Sequence, residues 1–172
     1  MSEPICTPGY DRVACLSAVL EEMEKYLASP ADILWQLGLI ETGENARAVF
    51  PLLFDAKVLH ARCLYEFFHN TRTLSKEGGR VYNGINILCT DYGYRPTADK
   101  RRFYRLKTEL DEQAVHLTVV RDGTLDKGRI MVELDGFLLP DITGFLTFIH
   151  GNAEYDGFRP KTELLLSKTV RK

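Results

Sequence analysis

The chain has 172 residues, of which 45% are hydrophobic and 27% are charged, and its formal net charge is −2. These values are typical of one folded globular domain and exclude a disordered or fibrous chain. No run of about 18 apolar residues is present, so the sequence predicts no membrane-spanning helix. The slightly acidic balance argues against binding of long nucleic acid through a generally basic surface.

The N-terminus and the cysteines predict where the protein resides. Met1-Ser2-Glu3-Pro4 lacks the basic start and apolar core of a secretion signal. The cysteines contain no Cys-x-x-Cys pair, which argues against a zinc knuckle or a redox pair, and they are typical of reduced thiols packed as small hydrophobic groups. They are Cys6, Cys15, Cys63 and Cys89. We therefore expect a cytoplasmic protein.

The first third of the chain predicts two helices. Thr7-Pro8 is a typical helix start, and the apolar residues that follow recur at steps of three and four until Ser29-Pro30. The apolar face comprises Val13, Leu16, Leu20, Met23 and Leu27, and the solvated face Glu21, Glu22, Glu24 and Lys25. A short helix over 31–39 carries Trp35, and the pattern breaks at 42–45.

A long helix then runs to about Asn70, and Pro51 either kinks it or marks its start. Residues 71–86 are polar and contain Gly78-Gly79, so they predict a long loop. Another helix is predicted from Asp99 to about Arg121, and it opens with several basic residues.

The last predicted helix spans about 129–149, with an interruption at Gly136 or Pro140, and a loose tail covers 151–172. A β-hairpin over 115–133 stays open as an alternative, because β-branched residues flank Asp122-Gly123. The sequence thus predicts a single all-α domain over 1–172, a bundle of four or five helices with its core at about 8–150.

The helix over 52–69 is apolar nearly all round, yet it carries a polar stripe of four residues: Asp55, Arg62, Glu66 and His69. At about 100° per residue the four lie within an arc of roughly 60°. Buried charge is costly unless it is paired or used. The stripe therefore indicates either an ion pair of Arg62 with Glu66 or Asp55, with His69 at a wet helix end, or a catalytic cleft.

Two segments resemble the HEPN domains. Arg62 and His69, separated by six residues in Ala61-Arg62-Cys63-Leu64-Tyr65-Glu66-Phe67-Phe68-His69, resemble the Arg-x(4–6)-His helix of that family. The segment His116-Leu117-Thr118-Val119-Val120-Arg121 is similar to the His-Leu-Thr-x-x-Arg segment of many uncharacterised HEPN-like bacterial proteins. The resemblance covers about 45–150.

The resemblance implies a helical bundle that dimerises and a metal-independent endoribonuclease of a toxin–antitoxin or anti-phage system. RNA would be its substrate, a cognate antitoxin or neighbouring-gene protein its partner, and no cofactor would be needed. Arg62 would stabilise the transition state, His69 would act as general acid or base, and Glu66 would orient one of them. Active members have a polar residue directly after the arginine, where this chain has Cys63.

Other interpretations stay open. The domain is alternatively a non-catalytic interaction or scaffold module with a structural polar stripe. His116, on one face with Glu109 and Glu112, is a secondary catalytic candidate or a core histidine, and Arg121 either acts in a site or offsets a helix dipole. A di-metal bundle would need a second Glu-x-x-His besides 66–69, and none is present.

Overall fold

The structure is a computed structural model, and it describes residues 11–28, 43–69, 75–77, 80–82, 87–99, 101, 103, 104, 106 and 126–170. Four long helices dominate these residues: α1 (Arg12–Leu27), α2 (Gly43–His69), α3 (Lys127–His150) and α4 (Arg159–Thr169). The prediction of a helical bundle of four or five helices is confirmed. Two strands of three residues, β1 (Ser75–Glu77) and β2 (Arg80–Tyr82), form an antiparallel pair.

The four helices close into a ring, because α1 packs against α2, α2 against α3, α3 against α4, and α4 again against α1. Helices α1 and α2 are antiparallel: Tyr26 lies beside Lys57, and Glu22 lies one turn earlier beside His60. The core fills the ring with large apolar side chains that are fully buried. They include Leu16, Leu20, Met23, Phe54, Leu64, Ile130, Leu134, Leu138, Phe145 and Leu165.

Helix α1 begins where Asp11 caps it, with Oδ1 accepting from the backbone N–H groups of Val13 at 2.9 Å and Ala14 at 3.3 Å. The predicted start at Thr7-Pro8 lies outside the described residues. The predicted apolar face is correct except at Val13, which is exposed. The predicted solvated face is wrong at Glu22 and Glu24, because these residues pair with His60 and Lys161 of neighbouring helices.

Helix α2 ends at His69, as predicted, but it includes residues 43–45, where the sequence predicted a break. The loop predicted over 71–86 is wrong at β1 and β2, which are strands. The sequence did not predict them, because strands of three residues are too short to produce an alternating pattern. The short helix predicted around Trp35 lies outside the described residues.

A segment over 87–99 crosses the C-terminal end of α2. It contains a 3-10 helix, Cys89–Tyr92, which ends at Gly93 with φ 85°, a left-handed conformation that favours glycine. The Cys89 thiol donates a hydrogen bond to the carbonyl oxygen of Phe68 at 3.3 Å, and the Tyr92 hydroxyl donates to that of Arg12 at 3.2 Å. These contacts fix the segment against α1 and α2.

The next helix begins near Asp99, as predicted, and Oδ1 of Asp99 accepts a hydrogen bond from the Arg101 backbone N–H at 2.9 Å. Helical residues follow at Arg101, Phe103, Tyr104 and Leu106, and 107–125 lie outside the described residues. The rival β-hairpin over 115–133 is wrong in its second strand, since 130–132 belong to α3.

Helix α3 continues through Gly136 and Pro140, so the predicted interruption is wrong. Buried side chains on both sides of the proline, such as Leu138 and Ile142, offset the lost hydrogen bond. The loose tail predicted after Gly151 is also wrong over 153–169. A 3-10 helix, Ala153–Phe158, and α4 pack there against α3 and α1.

Candidate functional site

The structure separates the members of the polar stripe. Arg62 and Glu66 lie at the surface with 40% and 44% of their side chains exposed, and Nε of Arg62 is 3.6 Å from Oε1 of Glu66. Asp55 is half-buried. His69, in contrast, has no exposed side-chain area. The stripe therefore does not converge on one open cleft.

Position along the helix axis explains this separation. A helical wheel describes direction around the axis and carries no information on height. The last turn of α2 lies under the 87–99 segment and against α3, whereas Arg62 lies two turns earlier and stays partly exposed. The prediction that His69 occupies a wet helix end is therefore wrong.

The partner of His69 is Asp141, in the middle of α3. Nε2 of His69 lies 3.1 Å from Oδ2 of Asp141, and both side chains are fully buried. The rings of Tyr65 and Phe137 pack against the imidazole, with centroids 5.3 and 5.1 Å away. The environment of this pair is thus a low-dielectric aromatic core, in which the charge of a carboxylate is screened little.

The other carboxylate oxygen of Asp141 anchors the 87–99 segment. Oδ1 accepts hydrogen bonds from the Thr97 backbone N–H at 2.7 Å, the Thr97 hydroxyl at 3.1 Å and the Ala98 N–H at 3.3 Å. Asp141 thereby joins α2, α3 and the 87–99 segment. Sequence reasoning missed it, although a lone acid inside the apolar run 137–146 was a usable signal.

The hydrogen bonding of this pair is incomplete. The contact of Nε2 with Oδ2 is close but lacks the alignment of a true hydrogen bond, and among the described residues Nδ1 of His69 has no hydrogen-bond partner. An activated histidine normally has its second nitrogen held by an orienting group while the first one faces substrate. Here Asp141 contacts one nitrogen, and neither nitrogen reaches solvent.

The buried environment near His69 fixes the protonation state of three acidic groups at neutral pH, a carboxyl, a thiol and a phenol. Burial alone would raise the pKa of Asp141, but the His69 contact and the Thr97 hydrogen bonds outweigh it, so the pKa is lowered and the carboxylate stays ionised. Burial, reinforced by the Asp141 charge, raises the pKa of Cys89 to about 12 and that of Tyr94 to about 12. The thiol is therefore no nucleophile at neutral pH.

A second, mostly buried polar pair joins the middle of α2 to α3. Nζ of Lys57 lies 2.9 Å from Oδ1 of Asp135 and 4.7 Å from the ring centroid of Tyr26. The Tyr26 hydroxyl donates to the same Oδ1 at 2.8 Å. Burial, with the Asp135 charge, raises the pKa of Tyr26 well above its usual range, so the phenol remains a donor. Together with Tyr26, the Lys57–Asp135 pair links α1, α2 and α3.

The remaining sequence candidates, His116 and Arg121, lie outside the described residues, as do Glu109 and Glu112. Within the described ranges, no three His, Cys, Asp or Glu side chains come together in a way that could hold a metal ion. Over the same ranges, none of the helices combines the length and the apolar character needed to cross a membrane. No protein-family model, curated protein or solved structure matches the chain.

Proposed function

We propose that this domain is a non-catalytic helical interaction module in which the His69–Asp141 pair is structural. The observation that carries the proposal is the complete burial of both side chains. A general acid or base must come within about 3 Å of the proton that it transfers, directly or through one water molecule. In the described conformation no substrate phosphate reaches His69.

The geometry of Arg62 supports the same proposal. A catalytic arginine would have to act on the same reacting atoms as His69, but Arg62 lies at the surface and pairs with Glu66. The buried polar pair at the centre of the bundle is instead His69–Asp141, which joins two helices and the 87–99 segment. A buried pair of this kind favours a unique register, which a module that presents a fixed surface requires.

Two measurements test the proposal against the HEPN-like ribonuclease alternative. Purified protein is incubated with single-stranded RNA in the presence of a chelator, and the free energy of unfolding is measured for His69→Ala and Arg62→Ala. We expect no cleavage, a loss of about 3–5 kcal/mol for His69→Ala, which strands the Asp141 charge, and less than about 1 kcal/mol for Arg62→Ala.

His60→Ala is the matched control, because His60 lies in the same helix and pairs with Glu22 but is partly exposed. It should cost less than about 1 kcal/mol. The opposite result is chelator-resistant cleavage of RNA but not DNA that disappears in His69→Ala while the melting temperature stays unchanged. That result would establish a metal-independent endoribonuclease and overturn the proposal.

A further inference from the structure

Helices α1 and α2 leave a groove of about 300 Å³ between them that is open to solvent. Its walls are mostly apolar and comprise Val19 of α1, Leu64 and Phe67 of α2, and Ile87 of the following segment. Three separate elements thus form it, and it is concave rather than a flat helix face. A volume of this size accommodates one or two large apolar side chains.

Two carboxylates line the same groove, Glu22 from α1 and Glu66 from α2. Each is contacted by a basic side chain: Oε1 of Glu22 lies 2.6 Å from Nδ1 of His60, and Oε1 of Glu66 lies 3.6 Å from Nε of Arg62. The Cys63 thiol lines the same groove, and burial first, and then Glu22 and Glu66, raise its pKa. Both negative charges therefore act on one point of the groove.

From this combination we infer that the groove docks an amphipathic helix of a partner protein, with an apolar anchor between α1 and α2 and a Lys or Arg beside Glu22 and Glu66. This inference rests on the proposed interaction function and names the chemistry of the partner. A helix that lays its apolar face into a groove between two others is a recurrent mode of recognition. The carboxylates disfavour nucleic acid and acidic segments, since like charges in an interface cost affinity.

The test uses two fluorescein-labelled 18-residue peptides with the same amphipathic leucine pattern, one with lysine and one with glutamate on its polar positions. Fluorescence anisotropy gives their affinities for the full chain. We expect the Lys/Leu peptide to bind at least about tenfold more tightly than the Glu/Leu peptide, and the difference should shrink as salt is raised.

Three variants locate the binding. Glu22→Gln combined with Glu66→Gln removes both charges, and Cys63→Trp fills the groove from its exposed edge. Each should weaken binding of the Lys/Leu peptide about tenfold. Glu163→Gln is the control, because it removes one carboxylate on the exposed side of α4, outside the groove, and should leave the affinity unchanged. Circular dichroism confirms that every variant is folded.

Equal affinity for the two peptides, absence of binding up to millimolar concentration, or binding that the groove variants leave intact would each overturn the inference. Concentration-dependent self-association that Cys63→Trp abolishes would also overturn it, since the occupant would then be a second copy of this chain. This test can fail separately from the test of the proposed function. If the protein binds no peptide and cleaves no RNA, the docking groove is refuted and the non-catalytic function is not.

Discussion

The hydroxyl group of Tyr94 lies so close to Gly144 of α3 that a β-carbon at position 144 would overlap the phenol oxygen. The rings of Phe68, Phe145 and Phe148 pack against the half-buried Tyr94 ring and limit its movement away from Gly144. This close approach holds the 87–99 segment against α3 and helps to bring Thr97 within hydrogen-bonding distance of Asp141. Gly144 is thus required by packing.

We expect Gly144→Ala to lower the free energy of unfolding by about 1–3 kcal/mol, since the overlap outweighs the better helix propensity of alanine. Gly136→Ala is the control: nothing lies within 4 Å of a β-carbon there, so it should stabilise the protein by about 0.5–1 kcal/mol. Adding Tyr94→Phe to Gly144→Ala should restore part of the loss. Urea unfolding followed by circular dichroism measures all three, and equal stabilities of the two glycine variants would contradict this explanation.

Helix α4 provides a pair of neighbouring leucines that differ only in burial. Leu165 is fully buried, whereas Leu164 is 49% exposed. Leu165→Ala should cost about 2–5 kcal/mol through lost burial and a residual cavity, and Leu164→Ala less than about 1 kcal/mol. Similar small costs for both, measured by thermal unfolding, would mean that α4 does not belong to the cooperative core.

Removal of the Lys57 amine should be costly, because it takes the Lys57 cation away from the Asp135 carboxylate, which it contacts between α2 and α3. The Asp135 side chain is 24% exposed, so solvent offsets part of the loss, and we expect Lys57→Met to cost about 1–3 kcal/mol. Arg129→Met is the matched control in an exposed pair, where Arg129 contacts Glu133 at 2.7 Å. It should cost less than about 0.5 kcal/mol, as determined by urea unfolding. A larger loss for Arg129→Met than for Lys57→Met would refute this ranking.

The lowered pKa of Asp141 predicts a specific loss of stability in acid. Because the folded-state pKa lies below the ordinary value of 3.8, the ionised carboxylate contributes stability above that value, and the contribution disappears as pH falls through the folded-state pKa. The stability difference between wild type and Asp141→Asn should therefore shrink as pH falls below about 4. Urea unfolding from pH 6 to pH 2.5 measures it. Asp156→Asn, at an exposed carboxylate, should follow the wild-type curve, and a constant difference for Asp141→Asn would argue against the assignment.

The sequence by itself determined the helical class of the protein and most boundaries of its longer helices. Repeats of three and four residues predicted α1 and the C-terminal end of α2, because these helices each bury one long apolar face in a single core. The sequence did not predict α4, because only two of its residues, Thr162 and Leu165, are buried, and two are too few to produce a helical period. It failed also at Pro140, where local propensity predicted a break and packing on both sides overrode it.

Only the tertiary structure decided the roles of the polar residues. The sequence placed Arg62, Glu66 and His69 on one helical face, and that angular relationship is correct for an isolated helix. Which of them meets solvent depends on what covers each turn, and the covering residues at His69 come from 87–99 and α3, far away in sequence. The partner of His69, Asp141, is 72 positions downstream, and periodicity within one helix carries no information about contacts across such a distance.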